Sequence, residues 1–177
     1  MIHPILLYGD PMLEKISESV PEKFPKLLEI VKDMYEIMHK ANGIGLSAIQ
    51  IGIPLQIFVI DANIEKQNFH FKKTFINPLI KELKGTKIKQ YEGCLSVPQI
   101  VSLVERNSEI VLEYYDEKME YHKETFEGYK AQIIQHEYDH LHGVLFVDRV
   151  DNLWKSINKI PLQLIKDRKI NVPYLTK

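Results

Sequence analysis

The chain has 177 residues, 45% of them hydrophobic, which is enough for one domain with a core of its own and short for two. Twenty-three basic against 24 acidic residues leave a net charge of −1, which excludes a global basic field that would draw the molecule onto nucleic acid or an anionic membrane. No run of ~18 apolar residues occurs, and the opening MIHPILLYGDPMLEKISESV has neither a basic start nor a small-residue cleavage site. A single cysteine, Cys94, excludes an intrachain disulfide, and a reducing, cytoplasmic location is expected.

Pro25 suits a first helical position. After it Leu27, Val31, Met34 and Met38 recur at three- and four-residue steps, an amphipathic helix that should end near Asn42-Gly43. The following GIGLSAIQIGIP has too little helical periodicity to extend it. LQIFVI, residues 55–60, reads as a buried strand, and KTFINPLI as a second strand whose Pro78 demands an edge or a bulge. EIVLEYYD and EKMEYHKETF read as a hairpin around Asp116, Glu117 and Lys118.

From Gly128 to Leu141, Tyr129, Ile133, Ile134, Tyr138 and Leu141 mark a second helix, with Gly143 as its cap. The stretch DNLWKSINKIPLQLIKDRK is helical in composition and interrupted by Pro161, with basic residues crowding its end. These elements add up to an α+β domain over residues 1–150, with residues 151–177 as a helical tail packed on it or extending from it.

QHEYDHLHG, residues 135–143, carries the chemistry. Histidines four apart on a helix project side by side and hold one metal ion, while Glu137 reaches a water on it. A catalytic site of this kind needs a third protein ligand and an open position. The metzincin pattern fails because its third histidine position is Phe146, and no glutamate follows His140 to serve as the thermolysin-type ligand. His142 points to another side of the helix and reads as exposed polar. Cys94, within YEGCLSVP, is the leading third ligand, and a bound metal would keep it a thiolate.

Three motifs in order resemble the peptide deformylase family: GIGLSAIQ at 43–50, EGCLS at 92–96 and QHEYDH at 135–140. With the Tyr8–Pro11 segment YGDP, the likeness extends over most of residues 1–150. The resemblance implies a small single domain, with antiparallel sheets around the metal-binding helix and a helix near either end. It implies Cys94, His136 and His140 as metal ligands and Glu137 as the catalytic carboxylate. Gln50 and the Leu95 N–H would face the reacting carbonyl, and Gly45 would contact the substrate backbone. Ser47 and Ile49 stand where alanine and proline are common, and Gln99 where many members have glycine.

By the same resemblance the reaction is removal of the formyl group from formyl-methionine of new polypeptides, releasing formate. The substrate would be a formyl-methionyl peptide or nascent chain. The metal would be ferrous iron, with Zn2+, Ni2+ or Co2+ as substitutes. Ile44 and Ile133, with Tyr129 a weaker candidate, would meet the methionine side chain. The rival enzyme class is an HExxH zinc peptidase. Lys155, Lys159, Lys166, Arg168 and Lys169 read first as a solvated helix end, and second as a face for transient ribosome contact.

Overall fold

A computed structural model describes residues 3–64 and 68–177. Its elements run α1 (Leu27–Lys40), β1 (Gly45–Ser47), β2 (Ile57–Ile64), β3 (Phe69–Cys94), β4 (Val97–Tyr115), β5 (Tyr121–Glu127), α2 (Gly128–His140), α3 (Asn152–Ile157) and α4 (Lys159–Lys166). All five strands join in one antiparallel meander in the order β1-β2-β3-β4-β5.

The expected strand over LQIFVI begins two residues late, at Ile57, and IFVI forms the start of β2 because both of its faces are buried. Ile57 and Val59 pack with Leu27, Val31, Met34 and Met38 of α1, whereas Phe58 and Ile60 pack with Ile133 and Ile134 of α2. Period-2 alternation therefore sends successive β2 side chains into two different cores. The same alternation holds in β1, where Leu46 joins the α1 core while Ser47 reaches α2. The sheet is thus a middle layer, and α2 packs against β1, β2, β4 and β5.

α1 begins at Leu27, two residues after Pro25, which sits in the turn leading into the helix. It ends where expected: Asn42 takes a left-handed φ of 55° and the Gly43 N–H returns to the Met38 carbonyl at 2.9 Å. Pro78 lies at a bulge, since the β3–β4 register shifts between Ile76 and Leu79. Beside it Asn77 bridges to Val20, donating to its carbonyl at 2.8 Å and accepting from its N–H at 2.7 Å. The expected hairpin closes through Asp116 and Met119.

Two elements differ from expectation. Residues 81–108 belong almost wholly to β3 and β4, although KELKGTKIKQYE carries no apolar alternation. That half of β3 is mostly exposed on both faces, and its lysines pair across to β4, as in Lys81–Glu113 at 3.6 Å and Lys87–Glu105 at 3.3 Å. The tail breaks at Asn158 rather than at Pro161. Pro161 occupies the first turn of α4, where a missing N–H costs no intrahelical bond. Leu162 and Ile165 of α4 share a third apolar cluster with Leu7, Val97, Ile100, Val104 and Phe146.

α2 is capped at Leu141, and Gly143, two residues on, takes a φ of +71°. A Cβ on Gly143 would fall 2.4 Å from the Glu14 carbonyl oxygen. Gly143→Ala is expected to lower stability by about 2 kcal/mol or more, through the left-handed backbone and this contact together. Urea unfolding of the two proteins checks it through the transition midpoint.

Candidate metal centre

The two-residue connection Leu95–Ser96 joins β3 to β4 and leaves Cys94 at the end of β3, facing α2. His136 and His140 lie one turn apart on α2, with ring centroids 5.1 Å apart. The donor atoms of Cys94, His136 and His140 all lie within 4.8 Å of one another, with Cys94 Sγ 3.3 Å from His140 Nε2. One soft sulfur and two imidazoles that close suit a divalent transition metal.

Electrostatics agree. Burial disfavours charge on His136, yet hydrogen bonds to Cys94 and Glu92 raise its pKa well above the usual histidine value, so the pocket favours positive charge at this point. His140 is driven well below that value by burial, then by the charges of His136 and Arg106, and stays a neutral imidazole fit for ligation. His136 Nδ1 lies 2.9 Å from a carboxylate oxygen of Glu92, which leaves Nε2 free for a metal.

Glu137 is buried beside this triad. Ser47 Oγ lies 2.8 Å from Glu137 Oε2 and 3.0 Å from the Glu137 carbonyl, and its proton goes to one or the other. On the other side Gly45 leaves room for the carboxylate: a Cβ there would come 2.3 Å from Oε1. Burial raises the Glu137 pKa, opposed by the charge of His136 and the Ser47 hydrogen bond.

Gln50 sits in the short 3-10 turn after β1. Its Oε1 accepts from the Ser47 N–H at 2.8 Å, which turns the amide nitrogen toward Ser96 Oγ at 3.0 Å and Cys94 Sγ at 3.4 Å. A groove of about 420 Å³ opens onto these groups, and Ile44, Gly45, Gln50, Cys94, Leu95, Tyr129, Ile133, His136 and Glu137 all line it. His140 lies behind them, buried. His142 points away, exposed, with Nδ1 2.9 Å from the Tyr138 carbonyl.

The sequence profile described as polypeptide deformylase matches residues 2–156. The peptide deformylase of Christiangramia forsetii is 42% identical over 185 residues, spanning 98% of this chain and 94% of that one. The chain belongs to the peptide deformylase family. It is a metal-dependent hydrolase that removes the formyl group from the N-terminal methionine of new polypeptides. The peptide deformylase from Thermus thermophilus shares its fold with a TM-score of 0.85 at 34% identity, over 95% of this chain and 99% of that one. A Met-Ala-Ser-bound class I type b peptide deformylase from Acinetobacter baumannii gives 0.80 at 29%, over 85% and 99%.

Sequence reasoning missed the charged residues behind the deformylase motifs. Arg106 of β4 is buried at 3% exposure and donates to both oxygens of Glu92, each at 2.8 Å, and to Asp139 of α2. Asp139 also accepts from Arg149. Glu92 and Asp139 stand inside the second and third motifs, next but one to Cys94 and adjacent to His140, and this closeness to the metal-ligating letters is the signal that could have found them. Arg106 has only its place in the inward-facing row Ile100, Ser102, Val104.

Burial raises the Glu92 pKa, but Arg106 and His136 outweigh it and hold it at about 2 instead of 4.5. The carboxylate therefore stabilises the fold at any pH above 4.5, and that contribution is lost as pH falls toward 2. Glu92→Gln should weaken metal affinity by about 10- to 100-fold and flatten this part of the acid-unfolding curve. Competition with a chelator and thermal melts from pH 5 downward check the two effects.

Proposed function

We propose that Cys94, His136 and His140 hold one divalent ion and that Glu137 is the proton carrier of the deformylation. Three protein donors leave a further position for water, as a catalytic site requires. The observation that carries the reading is the setting of Glu137: a buried carboxylate, held by Ser47 and fitted against Gly45, in the groove wall beside the three donors. When bound, the ion supplies Lewis acidity, which makes water a nucleophile near neutral pH and polarises the formyl oxygen.

Glu137 accepts the proton of the attacking water and returns it to the amine nitrogen as the C–N bond breaks and formate leaves. The Leu95 N–H and the Gln50 amide stabilise the charge that develops on the formyl oxygen. Gly45 lets the substrate backbone approach, and Ile44, Ile133 and Tyr129 receive the methionine side chain. The Cys-His-His donor set suits zinc or iron(II) alike, and membership of the family points to Fe2+ as the native metal, with Zn2+, Ni2+ or Co2+ as substitutes. With iron, activity should fall in air as the metal or its thiolate oxidises.

The catalytic domain is residues 1–150, with 151–177 packed on it through Leu162 and Ile165 and supplying Val172, Pro173 and Tyr174 to the groove, and the enzyme works in the cytoplasm on nascent chains. No helix among the described residues is long and apolar enough to cross a membrane. Lys155, Lys159 and Lys166 line one shallow depression with Tyr8 and Asp148, which supports a transient electrostatic contact with the ribosome. Charge reversal of the three lysines should reduce ribosome co-sedimentation at low salt and change nothing at high salt. Equal co-sedimentation at low salt would remove this face.

The deciding assay is formate release from formyl-Met-Ala-Ser by protein loaded anaerobically with iron or nickel. Glu137→Ala should slow it by about 100- to 10,000-fold and Gln50→Ala by about 100- to 1,000-fold. Because Glu137 works as its carboxylate and its pKa is raised, the rate should fall on acidification with a midpoint above 4.5. Cleavage of the unformylated Met-Ala-Ser at a comparable rate would favour the zinc peptidase instead.

A further inference from the structure

The groove has a wall that none of the three motifs supplies: Val172, Pro173 and Tyr174 line it together with Tyr129 and Ile133 of α2. This segment has no helix or strand of its own, yet it is tied at three points. The Ile5 N–H donates to the Leu175 carbonyl at 2.9 Å and the Lys177 N–H to the Ile5 carbonyl at 3.1 Å. Gln99, at a left-handed φ of 65°, donates its side-chain amide to the Asn171 carbonyl at 2.9 Å. The third tie is the Tyr174 hydroxyl, which donates to the Leu95 carbonyl at 2.8 Å.

That last bond falls on the connection between β3 and β4. The next carbonyl, Ser96, accepts from the Tyr8 N–H at 2.7 Å. Both carbonyls of the two-residue turn are therefore held from outside the hairpin, one by the YGDP segment and one by Tyr174. Tyr174 is half-buried against the α1 core, and burial together with the charge of Cys94 pushes its pKa up to about 12, so the hydroxyl remains a donor throughout the working range.

We propose that Tyr174 is a positioning residue for deformylation: its hydroxyl fixes the Leu95–Ser96 turn in the orientation that aims the Leu95 N–H at the formyl oxygen, while its ring closes the groove. The proposal rests on the reading of Leu95 as an oxyanion donor. A turn free to rock would misdirect that donor without removing it, so the loss should be smaller than the ~100-fold that deletion of a donor costs. Gln99 and the Ile5 pairing hold the segment that carries Tyr174, which gives the glutamine at 99 a task of its own.

The test uses the full chain loaded with nickel, formyl-Met-Ala-Ser as substrate, and Tyr174→Phe, which removes one oxygen and keeps the ring. The expected result is a kcat lowered about tenfold with KM and bound nickel unchanged. Tm should move by no more than the ~2–4 °C of a single hydrogen bond in a domain this size. Amide hydrogen exchange at Leu95 and Ser96 should be faster, a change that does not depend on turnover. Tyr174→Ala should add a rise in KM, because the wall is then lost.

Wild-type kcat in Tyr174→Phe, or a kcat that falls only in step with bound nickel, overturns the proposal. The exchange data then locate the failure. Unchanged exchange means that the hydroxyl does not hold the turn. Faster exchange with unchanged kcat means that the turn is held but the Leu95 N–H is not the donor.

Discussion

The buried guanidinium of Arg106 is the constraint on which the candidate metal centre depends. It sits on β4 between Glu92 of β3 and Asp139 of α2, all three buried, and a lone charge at that depth would be untenable. Neutralisation therefore requires strand and helix to stand at one spacing. Glu92 is two residues before Cys94, on the same face of β3. Asp139 is next to His140 and three residues past His136. The ion pairs that satisfy Arg106 thus set the sulfur against the two imidazoles before any metal arrives. Removing one partner would leave an unpaired charge in the core, which typically costs about 3–5 kcal/mol.

The same network reaches the chemistry through one hydrogen bond. Glu92 spends its two oxygens on Arg106 and on His136 Nδ1, so the His136 ring is fixed in tautomer and in rotation. Such a partner raises the basicity of the ligating nitrogen. His140 has no counterpart to this: among the described residues its buried Nδ1 meets no hydrogen-bond partner, and only its Nε2 has a polar neighbour, Cys94 Sγ at 3.3 Å. Of the two helix histidines, His136 is held by a charged partner, whereas His140 is kept neutral by burial and by the charges of His136 and Arg106.

How much of this was legible in the sequence follows the range of the interaction. The histidine pair and Glu137 lie within five residues of one helix, and the spacing alone states their geometry. β2 was legible because burial on both faces leaves an unbroken apolar run. The charged half of β3 was not, because its strand character comes from pairing with β4 rather than from its own side chains. Arg106, Glu92 and Asp139 are separated by up to 47 positions, and nothing local marks them as partners. Residues 171–177 have no periodicity at all, since what holds them is the backbone of Ile5 and the side chain of Gln99.

The departures from the common motif letters show how a site tolerates change. Ile49 is fully buried with the core residues. Ser47 does more: alanine at that position would leave the Glu137 carboxylate without its side-chain donor, whereas the serine hydroxyl favours the ionised form. Burial pushes the same carboxylate the opposite way. On the proposed mechanism this group accepts a proton from water and surrenders it to an amine, which calls for a pKa between those of the two partners. Of the opposed contributions burial prevails over His136 and Ser47, and the pKa is raised. The geometry that makes the opposition possible is Gly45, whose missing side chain is the space the carboxylate occupies.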